Sequence, residues 1–478
     1  MDTTQTLAEE KISRLLFKFS IPCIASLLIS AFYNIVDQIF VGHSIGYLGN
    51  AATGVVFPIL IITMAFSWCF GDGAAAYLSL CQGRKDTEGA HKCMGNLILI
   101  TLATSLIVMA IFFIFEEQLL ALFGATYDSY DANGNFIEGS MKMAKQYFKI
   151  VVGALVPYML TNALTSVIRA DGSPNYAMLS TLAGAIINIA LDALFIIGFG
   201  LGIKGAAYAT IIGQFVSFAL VIYYFFGRTK TFKLSLESFK PSFKIFSKAL
   251  TFGISTLITQ MSIVVISLVC NIMLKKYGQA SALVGYDASI PISAISIETK
   301  VFTVILNIVV GFILGAQPII GYNYGSKRFD RVKEVYKRVM TFTIVIGIVS
   351  TALIELFPQI FVEMFGTSGS NSELYEEFAK MTFRIFLSFV TFTCFIKMSS
   401  IFFQAVGKPI SAMISSLIRD IVFFVPLSII LPISLGLKGV LLAAPISDIL
   451  SMIVAVALTI KFFIDLKKLE KSPIECEY

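Results

Sequence analysis

Apolar residues run through this chain in long blocks, not in alternating or heptad patterns. A helix of about 20 residues crosses a hydrocarbon core of ~30 Å. Windows of that size select twelve blocks, at approximately 15–41, 53–81, 94–115, 146–168, 177–200, 205–227, 246–274, 297–321, 338–358, 381–405, 411–435 and 439–463. A helix apolar on nearly all sides is a membrane span, whereas a membrane barrel would show short alternating segments, which are absent. The first block is too long for a signal peptide and lacks a small-residue cleavage site before the polar loop. An all-α integral membrane protein with twelve transmembrane helices is therefore expected.

Composition narrows the class. Of 478 residues, 57% are hydrophobic and 14% charged, and the mean hydropathy is +0.84. Soluble domains are roughly 45–50% apolar and about 25% charged, which excludes a cytosolic enzyme, a disordered chain and a nucleic-acid module. Cys23, Cys69, Cys81, Cys93, Cys270 and Cys394 lie inside or at the ends of apolar blocks, and the total of seven is odd, which argues against a disulfide framework. His43 and His91 are too few and too far apart for a histidine metal site. With the N-terminus inside, 24 Lys and Arg fall on the inner face and nine on the outer. The positive-inside rule then places both termini in the cytoplasm of a plasma (inner) membrane protein.

The chain also repeats itself. Arg169-Ala-Asp-Gly-Ser-Pro-Asn-Tyr-Ala-Met-Leu-Ser-Thr-Leu182 matches Gln404-Ala-Val-Gly-Lys-Pro-Ile-Ser-Ala-Met-Ile-Ser-Ser-Leu417 at a shift of 235. Leu201-Gly-Ile-Lys-Gly205 matches Leu435-Gly-Leu-Lys-Gly439 at 234, and Gly73 and Gly83 match Gly315 and Gly325 at 242. Six spans return the chain to its starting side, so the halves are parallel repeats about an axis normal to the membrane. Two six-helix lobes are expected, residues 1–235 and 236–478, joined by the basic 228–248 segment. This is the architecture of an alternating-access transporter. No G-x-x-x-x-G-K-[ST] loop occurs, so no ATP is expected, and energy comes from an ion gradient or the substrate's own gradient.

Ionisable groups at membrane depth are the functional candidates, since each costs ~2.5–3.5 kcal/mol at a helix centre. Asp72, Arg419, Asp420 and Asp448 lie near span ends, where snorkelling to water weakens the case; Arg419 and Asp420 are read as neutralising local charge. Asp37 follows Tyr33, and Asp192 follows Asn188, by four residues each, so each pair shares a helix face. Asn162 and Thr210 add oxygens at similar depth. Carboxylate, amide and hydroxyl oxygens together suit a hard monovalent cation, and burial among apolar spans favours uptake of a proton. Projected through the repeat, Tyr33 becomes Val264, Asp37 Leu268, Asn188 Phe423, Asp192 Leu427 and Thr210 Ala444, while Asn162 becomes Lys397. A structural need of the fold should appear twice, but a coupling site need exist only once.

Several runs carry a family resemblance. Ser20-Ile-Pro22, Tyr33-Asn-Ile-Val-Asp37 and Gly42 resemble the opening span of the multidrug and toxic compound extrusion (MATE) transporters. Ile168-Arg-Ala-Asp-Gly172, Asn188-Ile-Ala-Leu-Asp192, Lys204-Gly-Ala-Ala-Tyr-Ala-Thr210 and Gln317-Pro-Ile-Ile-Gly-Tyr-Asn-Tyr-Gly325 resemble the same family, in order, over nearly the whole chain. The resemblance implies a two-lobed antiporter that exports organic compounds in exchange for protons or sodium ions. It implies a cation site in the N-terminal lobe at Asp37, Asn188, Asp192 and Thr210, where Na⁺ would bind if sodium is the coupling ion. Tyr33 and Asn162 stand nearby, and Pro22 matches a proline linked to bending of the first helix. Another branch places acidic cation ligands in the seventh and tenth spans; here the seventh has Ser255, Thr259, Gln260 and Ser262, and the tenth has Lys397. Gln260 and Lys397 are therefore read as supporting or cavity residues. In the polar 281–300 segment, Asp287, Glu298 and Lys300 either line the cavity or, for Glu298 and Lys300 the favoured reading, lie near a membrane interface. The expected partners are a small organic, cationic substrate and the lipid bilayer, with no nucleic acid; the expected state is a monomer with no cofactor beyond the coupling ion. The alternative function is flipping of lipid-linked saccharides; a channel and an intramembrane enzyme fit less well.

Overall fold

The computed structural model describes residues 9–45, 47–123, 125, 127, 129–130, 136–137, 140–230, 236–280, 289–364 and 372–471. The first half contains helices α1 (Ile12–Ile45), α2 (Tyr47–Arg84), α3 (Thr87–Ile114), α4 (Glu116–Leu122), α5 (Met141–Gly153), α6 (Leu155–Ala170), α7 (Pro174–Asp192) and α8 (Gly202–Gly227). The second half contains α9 (Phe243–Ala280), α10 (Ser289–Gly325), α11 (Phe329–Leu356), α12 (Pro358–Met364), α13 (Ser372–Phe386), α14 (Val390–Ala405), α15 (Pro409–Leu417), α16 (Val425–Leu435) and α17 (Leu437–Lys471). A π-helical turn, Ala193–Gly198, follows α7, and another, Ile418–Phe424, joins α15 to α16. A small antiparallel hairpin pairs Ser129–Tyr130 with Phe136–Ile137 between α4 and α5.

Among the described residues, ten helices are individually long and apolar enough to cross a membrane. Two further spans are bent pairs, α5 with α6 at 57° and α13 with α14 at 48°. Together they make the twelve expected spans. The second lobe's bent helix breaks at Phe389 and the first lobe's at Ala154, positions related by the same 235-residue shift as the sequence repeat.

The turns repeat as closely as the spans. Gly172 (φ 81°) and Gly407 (φ 73°) take the left-handed conformation, and Pro174 and Pro409 then start α7 and α15. Ser173 N–H donates to the Ile168 carbonyl as Lys408 N–H does to Phe403, both shifted by 235. Lys85 (φ 60°) and Lys327 (φ 57°), two non-glycine residues in the same strained region, are related by 242. Local turn chemistry has thus been duplicated with the spans, and the lobes are parallel repeats.

The cores show how the lobes meet. At the start of α1, Ile12, Leu15, Leu16 and Phe19 pack in one cluster with Phe312, Ile319, Val335 and Phe402 of the second half. Farther along α1, Val41 packs with Val56, Tyr147 and Met159 of the first half. α9 mirrors this arrangement: Ile245 packs with Leu97, Ile168 and Tyr224, and Cys270 and Leu274 with Val309 and Phe383. The leading half of each lobe's first helix is therefore lodged in the other lobe. Ser20 Oγ donates to the Phe312 carbonyl at 2.8 Å, and Arg331 Nη2 to the Glu10 carbonyl at 2.8 Å. A Cβ added at Gly73, Gly83, Gly253 or Gly315 would run into the backbone of Ala249, Tyr322, Cys69 or Ser20. The lobes are sealed backbone to backbone at the end of the bundle that carries the termini. Ile107, Ile114, Phe226 and Ile433 are among the large apolar side chains exposed on the outside of the bundle, as a lipid-facing surface requires.

Candidate functional site

Two helices carry the first-lobe carboxyl groups. Asp37 lies in the trailing half of α1, and α7 ends on Asp192 where the π-helical turn begins. Such local widenings of a helix are common at functional positions. α7 approaches α8 closely because both are glycine at the crossing: a Cβ on Gly213 would stand 2.7 Å from the Gly184 carbonyl oxygen and 3.0 Å from Asn188 Cβ. That approach buries Asn188 and Asp192, which are 3% and 0% exposed. The carboxyl groups of Asp37 and Asp192 lie close enough for each to act on the other's charge. Thr210, on α8, Tyr147, on α5, and Tyr33, on α1, lie close to this pair of carboxyl groups.

Five polar atoms in this group are buried without a hydrogen-bond partner: Asp37 Oδ1, both carboxylate oxygens of Asp192, and Asn188 Oδ1 and Nδ2. Leaving a buried polar group unsatisfied costs roughly 1–3 kcal/mol. Two facing carboxylates repel unless a cation lies between them or one holds a proton. The donor set, three carboxylate oxygens and an amide oxygen beside a threonine hydroxyl, matches what a proton or a sodium ion needs. Asp37, Asn188, Asp192, Thr210 and Tyr33 therefore fall in one region.

The other sequence candidates lie elsewhere or are otherwise engaged. Asn162 donates its amide to the Tyr158 carbonyl one turn earlier, at 2.9 Å. Gln260 is half-buried on α9. Lys397 Nζ is 2.9 Å from Asp420 Oδ2, in the second lobe. α1 runs unbroken through Pro22, whose carbonyl accepts the Ser26 hydroxyl at 2.8 Å. Pro22 stands between Ser20 and Ile24, the residues of α1 that face Gly315 and Gly311 of α10. Tyr147, buried at 5% exposure, was missed by sequence reasoning; the available signal was only a tyrosine inside the 146–168 apolar block.

The second lobe corrects the reading of its ionisable groups. Arg419, Asp420 and Asp448 are 6%, 1% and 1% exposed, so they do not snorkel to water. Arg419 Nε donates to Asp448 Oδ1 and Nη1 to Asp420 Oδ1, both at 2.9 Å, and Thr393 Oγ1 donates to Asp448 at 2.8 Å. With Lys397 they form a closed set of two cations and two carboxylates, the local neutralisation expected of Arg419 and Asp420. Glu298, in the same lobe, is fully buried (0% exposed) on α10, whereas Lys300 is exposed. Asp287 lies outside the described residues. In the first lobe Asp72 is likewise internal, accepting from Ser166 Oγ at 2.7 Å and Arg169 Nη2 at 3.4 Å, while Gln317 of the second lobe reaches its carbonyl at 3.5 Å.

The MatE family model matches residues 22–194 and 255–430, taking in α1 from Pro22, α7 with its two polar residues, and the corresponding part of the second lobe. The chain belongs to the MatE family. Its sequence is 26% identical over 444 residues to the multidrug export protein MepA of Staphylococcus aureus (strain MRSA252), covering 93% of this chain and 92% of that protein. It is 26% identical over 465 residues to MepA of Staphylococcus haemolyticus (strain JCSC1435), covering 96% of each. Among solved structures, a MATE transporter in the bent conformation superposes with a TM-score of 0.87 at 21% identity, covering 99% of this chain and 100% of that one. A MOP superfamily transporter from Pyrococcus furiosus Vc1 (DSM3638) also gives 0.87, at 22% identity, with 97% and 98% coverage. The fold, the family and the multi-pass membrane character expected from the sequence are thus shown for this MatE chain.

Proposed function

We propose that this MatE chain is a secondary antiporter that exports small organic, largely cationic compounds in exchange for H⁺ or Na⁺. The observation that carries the reading is the pair of facing carboxyl groups, Asp37 and Asp192, with the unsatisfied oxygens of Asp192 and Asn188 beside them. The names of the MepA relatives support multidrug export as its physiological direction. In this reading the chain works as a monomer without ATP or cofactor, in two lobes, residues 1–235 and 236–478, with both termini in the cytoplasm. The sealed end of the bundle is then cytoplasmic, and the carboxyl pair faces the outward half.

The exchanged half of α1 offers a route for coupling. Its trailing half holds Asp37 within the first lobe, its leading half is fixed in the second, and Pro22 separates the two. Pro22 has no N–H for the Lys18 carbonyl, so the helix bends there at lower cost than elsewhere. A cation held between Asp37 and Asp192 draws α1 toward α7; without it the two carboxylates part, and the movement reaches the second lobe through Ser20 and Phe19. Coupling requires that cation and substrate prefer different states of this arrangement. The test is ethidium efflux from proteoliposomes with Asp37→Asn and Asp192→Asn. Both variants are expected to lose cation-driven efflux, and wild-type rates in both would overturn the assignment. Repeating the assay with and without Na⁺ at fixed ΔpH identifies the ion, and a lipid-flipping assay on the same vesicles is expected to be negative.

A further inference from the structure

One fully buried carboxyl group of the second lobe has no part in the first-lobe site. Glu298 lies on α10 nine residues past its start, about 14 Å along the axis at ~1.5 Å per residue. It is fully buried, its Oε1 has no hydrogen-bond partner, and its Oε2 is 3.4 Å from Thr299 Oγ1. Around it lies the apolar core of the second lobe, with Cys270 and Leu274 of α9 and Ile295, Ile297 and Ile305 of its own helix. Among the described residues, the charged or titratable groups that act on it from neighbouring elements are the Arg419 guanidinium and the Cys270 thiol. Arg419 is placed by its ring contacts: its guanidinium carbon is 5.9 Å from the centre of Phe302, one helical turn beyond Glu298 on the same face of α10. Arg419 is nevertheless bonded to Asp448 and Asp420, and Asp420 also to Lys397. Among the described residues two cations already match two carboxylates, and Glu298 is a third acid with no cation bonded to it.

We propose that Glu298 is a second coupling site, in the C-terminal lobe, which holds a proton in this state and releases it when α10 moves relative to Arg419. An isolated ionised carboxylate in a low-dielectric core is strongly disfavoured, and the neutral acid removes the charge. A metal ion does not fit the position: among the described residues the site offers one carboxylate and a weak thiol, and the neighbouring guanidinium repels a cation. On release the O–H bond breaks, the proton passes to water, and the electron pair stays on the carboxylate. The carboxylate then competes with Asp448 and Asp420 for Arg419. Proton occupancy at Glu298 thereby decides whether Arg419 ties the 418–424 turn to α17 or draws it toward α10. This goes beyond the first-lobe reading, since neither Asp37 nor Asp192 takes part.

Infrared spectroscopy of the protein in lipid vesicles tests the idea directly. A protonated-carboxyl C=O band that shifts on isotope labelling of glutamate is expected in wild type, absent from Glu298→Gln and displaced in Glu298→Asp. The same band in wild type and Glu298→Gln overturns the proposal. Glu298→Gln is also expected to move one proton fewer per ethidium than wild type, and an unchanged proton count overturns it. Should Glu298→Gln fail to fold as a monodisperse protein, the Asp37→Asn/Asp192→Asn variant decides. The glutamate-sensitive band must persist there, and its absence refutes the site. Failure of the first-lobe reading looks different, since Asp37→Asn and Asp192→Asn would then transport normally whatever Glu298→Gln does.

Discussion

Gly83→Ala perturbs the seal between the lobes at one defined point. Gly83, on α2, faces α10, and an added Cβ would collide with the Tyr322 carbonyl and stand 2.8 Å from the Ser326 amide nitrogen and 2.9 Å from Gly325 Cα. Ordinary contact begins at 3.4 Å, so the two backbones must part by more than half an ångström. All three neighbours are main-chain atoms and cannot rotate away. Overpacking of this kind costs roughly 1–3 kcal/mol. The cost falls only on the state in which this end is closed, so the equilibrium between closed and open forms should shift by about 5–150-fold. Spin labels at Lys85 and Lys337, exposed residues on opposite lobes, report the separation. Gly83→Ala is expected to enlarge the long-distance population several-fold, and wild-type distances would refute the reasoning. Gly54→Ala is the control, because nothing lies within 4 Å of its added Cβ.

Other outcomes follow from the charged groups. Arg419→Met leaves Asp448 and Asp420 without the guanidinium that joins them and should cost about 3–5 kcal/mol. It should lower the thermal midpoint in detergent more than Lys397→Met, after which Asp420 keeps Arg419; equal midpoints would contradict the network. Outside the spans, Glu117 accepts from Lys145 Nζ at 2.7 Å and Tyr127 Oη at 2.9 Å, and the lysine holds its carboxyl below the ordinary value of 4.5. A lowered group stabilises the fold above its ordinary value and loses that contribution as the pH falls through the lowered one. The protection factors of the 116–122 amides, corrected for the intrinsic exchange rate, should therefore fall below pH 4.5 in wild type and fall less in Glu117→Gln.

Much of this architecture is legible in the chain itself because its causes are local. A membrane span is a property of about 20 consecutive residues. The turn after Arg169 and its copy after Gln404 each depend on a glycine at positive φ followed two residues later by a helix-starting proline, within a few positions of sequence. Asp37 and Asp192 stand out because a carboxylate in an apolar block is costly wherever it points. For the same reason their absence from the repeat was informative before any geometry was known.

The placement of charges was not legible. Position along a span put Arg419, Asp420 and Asp448 near an end, yet each is buried with a partner, Arg419 with Asp448 across 29 residues and Lys397 with Asp420 across 23. Whether a charge snorkels or pairs depends on what another helix presents to it, and hydropathy carries no record of that. Glu298 illustrates the same limit, because only the packing of α9 and of the turn bearing Arg419 shows it to be enclosed.

The sequence by itself determined the twelve spans, the parallel repeat, the duplicated turns and the first-lobe acids, since each follows from short-range hydrophobicity and backbone preference. Tertiary structure alone decided that the leading halves of α1 and α9 lodge in opposite lobes, that glycine backbones seal one end, and that Tyr147 stands beside the first-lobe acids. It also decided that the second-lobe charges neutralise one another around a solitary Glu298. Those outcomes depend on contacts between residues far apart in the chain, where close packing and the cost of burying charge act on pairs of helices together.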